Sequence, residues 1–386
     1  MKLRNPFVLV GYRGAEYFCD RERETKKLVS WLENGSNVTL MSPRRYGKTG
    51  LIHHVFQRLP AGFRSVYLDI YSTKSLVDFT RAFAAAVVGA ADSPIEKTLS
   101  IVGRFFKSCR PTVAVQEDGL PKFSFDVVPS AAEATLREAF AYLKAFSGNL
   151  VVALDEFQQI LAYPETGVEA LLRSYVQDVP HVRFVFAGSR QHLMGEMFAT
   201  AKHPFYNSTD ILSLPVIPAD AYAAFAGAFF AAEGLPFSAA AFRLLYTRFD
   251  GVTWYVQRVL NGLWTAGEGL SRVEQGEAVV ADLIADRALV FRDLYESQNE
   301  VARRLLPQIA AARVVAEPTS RAFLSACGLS ASSVRSALAD LCARELVYRS
   351  EAGYLVYERL FAEWLAASFG QGTLQGREAA APVFPG

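Results

Sequence analysis

The sequence is poor in sulfur and imidazole: four cysteines, four methionines and five histidines. Cys19, Cys109, Cys327 and Cys342 lie far apart and form no CxxC, which argues against a disulfide framework and against a zinc ribbon. No HExxH occurs either. Charge of one sign is also missing, since 40 Lys plus Arg stand against 39 Asp plus Glu for a net charge of +1. That excludes a wholly basic nucleic-acid binder and an acidic tail protein, though not a local patch. The longest apolar run, Ala221 to Ala232, is bracketed by Asp220 and Glu233. It falls well short of the ~20 residues of a membrane span and reads as a buried, alanine-rich helix. The opening MKLRNPFVLVGYRG has too short an apolar core for a signal peptide. Reduced thiols, no export signal and no span point to the cytoplasm and to no membrane partner. What the chain does have is length and apolar content: 386 residues, 51% hydrophobic and 20% charged. At about 100–200 residues per domain this suffices for two or three well-buried cores.

The N-terminal half alternates strand-forming runs with helical ones. Residues 36–41, 65–71, 150–154, 183–188 and 211–217 are apolar without polar alternation, and helical patterns such as 51–59 and 76–91 separate them. Strands of this kind need cover on both faces, which predicts an α/β fold around a parallel sheet. The segment 112–128 breaks the rhythm, because two strand-like runs flank Asp118-Gly119 as in a hairpin; it reads as an insertion. Strand signals stop near Pro218. Residues 218–297 read as a helical domain, and 298–368 read as three helices followed by two short strands around Glu351-Ala352-Gly353, a winged-helix pattern. Residues 369–386 have no periodicity and read as a disordered tail. The expected domains are therefore 1–217, 218–297 and 298–368.

Chemistry concentrates in SPRRYGKT, Ser42 to Thr49, which is one residue short of the phosphate-loop pattern GxxxxGK[ST] because Ser42 stands at the first glycine. A buried strand precedes it and an amphipathic helix follows. Backbone N–H groups of such a loop and the positive end of the helix cradle phosphate oxygens. Lys48 would bridge the terminal phosphates, Thr49 would offer its hydroxyl to Mg²⁺, and Gly47 would let the backbone approach closely. GKT alone is also compatible with a helix start bearing a surface lysine. The second feature is LVVALDEF, where an apolar strand delivers Asp155-Glu156. Asp155 would hold Mg²⁺ through water and Glu156 would polarise the attacking water. Alone, an acidic pair ending a strand reads equally as a helix cap; with an upstream phosphate loop it reads as its partner. The third feature is RFVFAGSR, whose strand ends in Gly188-Ser189-Arg190. From a strand lying between the other two, Ser189 would sense the γ-phosphate; alone, the same residues also read as a glycine turn with a solvated arginine. The predicted fold is a P-loop NTPase of the additional-strand (ASCE) type, with a helical lid and a winged helix.

These residues resemble the prokaryotic, archaeal-type AAA-like P-loop ATPases, within or near the signal-transduction ATPases called STAND. NPF, FCDRERETKKL (18–28), SPRRYGKT, LDEFQ, AGSR and the Met194–Phe198 stretch carry the likeness from about Asn5 to Trp364. Ser42, Arg44, Arg45, Tyr46, Gly47, Lys48, Thr49 and Gly50 are expected to hold ATP, with Mg²⁺ at Thr49 and Asp155, and the resemblance implies that residues near Pro6, Phe7 and Phe18 to Arg21 help hold the base. NPF and FCDRERE also read as a turn and an exposed charged helix. Family members often carry an arginine after a Pro-aromatic-Tyr stretch, whereas PFYNSTD has Asn207 there. Their Gly-x-Pro lid motif is here Gly251-Val252-Thr253, and a late Asp-Pro is Glu358-Arg359. Loss of an arginine that stabilises transition-state charge costs about 10³–10⁵ in rate, so slow hydrolysis is expected. Over residues 298–368 eight arginines face seven acids and no lysine occurs. That is no clustered basic face, so a protein-contact or autoregulatory winged helix is favoured over a DNA reader. The expected function is a slow, ATP-dependent molecular switch. The alternatives are an ATP-gated DNA-binding regulator and a non-hydrolysing nucleotide-binding scaffold.

Overall fold

The computed structural model describes residues 3–89, 102–115, 121–350 and 352–369. The chain divides into two compact units, Met1–Thr265 and Ala266–Gly386.

The first unit is built on a five-stranded parallel sheet of β1 (Val38–Met41), β2 (Phe63–Asp69), β5 (Asn149–Asp155), β6 (Val182–Gly188) and β7 (Asp210–Ser213). The strand order is β2-β5-β6-β1-β7. The inner strands β1, β5 and β6 lack alternation because both faces are covered, while the edge strands β2 and β7 stay part-exposed. In β5, Leu150, Val152 and Leu154 face one cluster, while Val151 and Ala153 face the other. Helices α3 (Leu76–Gly89), α4 (Ala132–Ala145), α5 (Val168–Gln177) and α6 (Gln191–Ala199) supply the first cluster, which is rich in phenylalanine. Helices α1 (Glu22–Glu33) and α2 (Lys48–Phe56) supply the second. The last strand ends at Ser213, four residues before the expected limit, since Pro215 and Pro218 cannot donate to a ladder. No helix of the described residues is long and apolar enough to cross a membrane.

The hairpin strands are β3 (Arg110–Val115) and β4 (Pro121–Asp126), antiparallel and outside the main sheet. Phe123, Phe125 and Val127 bury into the phenylalanine-rich cluster with α3 and α4. The Asp118-Gly119 turn lies outside the described residues.

Three helices complete this unit: α7 (Ala219–Ala232), which carries the alanine-rich run, α8 (Ala239–Arg248) and α9 (Thr253–Ala266). The N-terminal segment is sewn onto α9. Asn5 Nδ2 donates to Asn261 O, Asn261 Nδ2 to Phe7 O, Gln257 Nε2 to Val8 O and Trp264 Nε1 to Arg4 O, all at 2.7–3.0 Å. Phe7 has no exposed surface and stacks on Phe230 at 5.4 Å, with Phe229 and Trp264 edge-on.

The second unit holds α10 (Val273–Ala285), α11 (Ala288–Glu296), α12 (Glu300–Ala312), α13 (Arg321–Cys327), α14 (Ala331–Ala343), the hairpin β8 (Val347–Ser350) and β9 (Gly353–Val356), and α15 (Arg359–Phe369). Val315 bridges Tyr354 as a third wing element. Ser330 caps α14, its side chain accepting from Ser333 N, and Arg344 is tied to Asp340 and Gln298. Of the tail expected from residue 369, Phe369 closes α15; the rest lies outside the described residues.

Candidate active site

The sheet order brings the three sequence features together. β6, which ends beside Ser189, lies between β1, which feeds the phosphate loop, and β5, which delivers Asp155. The loop turns into α2 through Gly47 at φ 89, a left-handed conformation where a Cβ would be strained. Arg45 adopts the same region at φ 73, as does Glu156 at φ 57. The first N–H groups of α2, those of Lys48, Thr49 and Gly50, are left without intrahelical acceptors by helix geometry and carry the positive end of the dipole.

Lys48 is 6% exposed, and its ammonium meets Asp155 Oδ1 in a short contact and Glu156 Oε1 at 3.5 Å. Thr49 Oγ1 donates to Asp155 Oδ2 at 2.8 Å, and Tyr67 OH donates to the same oxygen at 2.9 Å. Burial pushes the Asp155 carboxyl up, but the Lys48 charge and the three hydrogen bonds outweigh it and hold the group below the usual carboxylate range. Burial, with Asp155 beside it, pushes the Tyr67 phenol well up, so it stays a donor. Glu156 Oε2 accepts from Ser189 Oγ and from Gln158 Nε2, each at 2.6 Å. Arg44 Nε reaches Ser189 Oγ at 3.4 Å. Ser42 Oγ is buried without a hydrogen-bond partner, and its N–H donates to Gly188 O.

A cavity of about 330 Å³ opens in front of this network. Arg44 to Gly50 and Glu156 line it together with Val8, Tyr12, Phe18, Cys19, Ile217 and Trp254. Arg21 also lines it, yet its side chain is 3% exposed and spent on structure, donating to Pro215 O at 2.7 Å and Tyr46 O at 3.3 Å and pairing with Glu24. Pro6 and Phe7, expected at the base, do not line it. The chain at that point turns Phe7 into the α7–α9 core, and Val8 and Leu9 face the cavity instead. Ser42, Asp155 and Ser189 are not among the lining residues.

Two participants escaped the sequence. Tyr67 lies inside an apolar strand, where its hydroxyl carried no signal beyond its spacing from the strand's end. Gln158 closes LDEFQ but reads locally as a helix-start residue. A third contact joins the loop to the helices: Trp254 N donates to Arg45 O at 3.1 Å, and the Arg45 guanidinium lies 4.5 Å over the Trp254 ring and 5.0 Å over Tyr255. Such cation–π contacts contribute about 0.5–2 kcal/mol. Arg45→Ala is therefore expected to lower the thermal midpoint by a few degrees, measured by calorimetry; Arg45→Lys should recover part of the loss.

Magnesium suits the donors present. Among the described residues no group of three or more His, Cys, Asp or Glu could hold a metal by itself. Thr49 and Asp155 offer two hard oxygens 2.8 Å apart, which fits an ion that takes its other ligands from phosphate and water.

Solved structures resemble the whole chain at low identity and so testify to the fold. The Walker-type ATPase paby2304 of Pyrococcus abyssi aligns at 17% identity and a TM-score of 0.65, covering 93% of this chain and 99% of that one. The Aeropyrum pernix ORC1 protein, solved in complex with DNA, aligns at 15% identity and a TM-score of 0.54, covering 95% and 98%. The Aeropyrum pernix ORC2 protein, solved in ADPNP-ADP complexes, gives 14% and 0.54, with the same coverage. No curated protein matches the chain. Residues 289–367 match the family described as "Probable winged helix domain", so the match begins within α11 rather than after it. Residues 18–259, more than half of the sequence, match the family described as "ATPase domain predominantly from Archaea", and the chain belongs to that family.

Proposed function

We propose that the protein binds and slowly hydrolyses ATP, acting as a nucleotide-dependent molecular switch. The observation that carries this reading is the Lys48 ammonium, buried between Asp155 and Glu156 at the positive end of α2, with Lys48 and Glu156 both lining the cavity. Terminal phosphates would draw Lys48 toward themselves, with Ser42 to Thr49 supplying the cradle. Thr49 and Asp155 would hold Mg²⁺, which when bound neutralises charge on the phosphates. Glu156 would take a proton from the attacking water, and Ser189 would read the γ-phosphate. The base would lie between Val8, Tyr12, Phe18 and Trp254.

The switch would work through α9. Its first turn is latched to the loop by Arg45, and its later turns hold the N-terminal segment. A change at the loop would therefore reach both the base end of the cavity and the helix that runs to Ala266, where the second unit begins. Single-turnover hydrolysis of radiolabelled ATP by the full chain tests this. Slow, Mg²⁺-dependent release of phosphate is the expected result; binding without any release would favour the scaffold.

The winged helix supports a protein partner. The serines at the start of α14 are engaged with one another and in its cap, and Arg344 is spent within the unit. Full-length protein is expected to bind duplex DNA weakly, with or without ATP. Tight binding with a steep salt dependence would promote the DNA-regulator reading.

A further inference from the structure

Gln158 is 4% exposed in the short helix Phe157–Ala162 that follows β5. A core position there would ordinarily favour an apolar side chain, because a buried amide must satisfy both its ends. This one satisfies only one. Its Nε2 donates to Glu156 Oε2 at 2.6 Å, while its Oε1 is buried with no partner. The strand beside it is shaped to receive that oxygen, since a Cβ on Gly188 would come within 2.3 Å of it. Ser189 donates to the same Glu156 oxygen, also at 2.6 Å. The other carboxylate oxygen, Oε1, faces Lys48 Nζ at 3.5 Å.

We infer that Gln158 is a positioning residue for Glu156: with Ser189 it fixes Oε2, so that Oε1 is the oxygen presented to water when Lys48 turns to the phosphates. The inference rests on the reading of Glu156 as the water-activating group. Two donors on one oxygen leave the carboxylate no freedom to rotate, and Lys48 masks the remaining oxygen until phosphate draws it away. In the hydrolytic step the water proton passes to Oε1 and the water oxygen bonds to the terminal phosphorus. The bond from that phosphorus to the ADP oxygen breaks, leaving ADP and inorganic phosphate. Lys48 thus gates the base, and Gln158 aims it.

Gln158→Met keeps the side-chain length, removes the donor and removes the unpartnered oxygen. In the full chain it is expected to leave the thermal midpoint and ATP affinity at parental values and to lower the single-turnover rate by roughly 10–100-fold, the scale of a misplaced reacting group. A general packing role would move the midpoint instead. In a Glu156→Gln background the same change is expected to do nothing further, because its effect passes through the carboxylate. Gln158→Leu, measured alongside, covers poor packing of the new Met against Met194. A parental rate in both single variants overturns the inference while the Glu156 reading stands, and so does an equal loss in both backgrounds. If Glu156→Gln itself turns over like the parent, the Glu156 reading fails and this inference fails with it.

Discussion

Glu156→Gln is expected to lower single-turnover hydrolysis by about 10²-fold or more, the usual reach of a general base, while leaving ATP affinity nearly intact. The substitution is close to isosteric, and the left-handed backbone at φ 57 is set by the chain entering the Phe157–Ala162 turn, not by the carboxylate. Asparagine at Asp155 should behave differently. Asp155 accepts from Lys48, Thr49 and Tyr67 at once, so Asp155→Asn removes the charge that holds both the lysine and the metal-side hydroxyl. Mg²⁺-dependent binding should weaken along with turnover. The parental rate is expected to be low, since the resemblance implies an arginine where this chain has Asn207. Asn207 occupies a left-handed turn, at φ 53, with its N–H bonded to Phe198 O. Equal rates in parent and Glu156→Gln would remove the water-activating assignment.

Lys48→Ala should abolish the stabilisation by Mg²⁺-ATP and also lower the midpoint of the free protein. Ligand that binds only the native state adds RT ln(1 + [L]/Kd), about 2.7 kcal/mol at a hundredfold excess over Kd, and that increment should vanish. The loss in the free protein has a separate origin. The ion pair is buried on both sides, 6% and 3% exposed, so deleting the lysine leaves Asp155 charged in a poorly hydrated site. Breaking such a pair costs about 3–5 kcal/mol, or roughly 6–20 °C for a domain of this size. Hydrogen bonds from Thr49 and Tyr67 remain and place the expectation at the lower end. The pH dependence fixes the cause. In the parent, the depressed Asp155 carboxyl contributes stability that is full above the ordinary carboxylate range and is lost as pH falls through its lowered value. In the variant, burial acts with less opposition and the carboxyl rises. Its deficit against the parent should be largest at neutral pH and should shrink as pH falls, because the orphaned group can then take a proton. Thermal scans from neutral to acidic pH with and without nucleotide measure both effects. An unchanged midpoint with an intact ATP shift would mean that the loop is not the site.

Much of the first unit was legible in the residues. The inner strands β1, β5 and β6 announce themselves as largely apolar runs, because a strand covered on both faces has no reason to alternate, whereas the edge strands β2 and β7 stay part-exposed. The phosphate loop and the acidic pair could be paired on paper, since both follow such strands, and the placement of β6 between their strands brings Ser189 to the acids. Winged-helix order was equally readable, from three amphipathic segments and a short hairpin.

What escaped depends on contacts between residues far apart in sequence. Pro6 and Phe7 looked like base-binding residues, but hydrogen bonds that span more than 240 residues pull the segment onto α9 and turn Phe7 inward, leaving Val8 and Leu9 at the cavity. The compact unit that holds this segment runs to Thr265. Tyr67 reaches Asp155 only because β2 pairs with β5 in the register that sets Asp69 against Asp155. Gln158 faces Glu156 only because the chain turns left-handed between β5 and the short helix, a backbone choice with no local signature in a non-glycine residue. Periodicity and loop composition are local, so the sequence by itself determined the sheet strands, the phosphate loop and the acidic pair. Strand register, backbone handedness and long-range hydrogen bonds are tertiary, and they alone decided which side chains aim the carboxylates and which face the cavity.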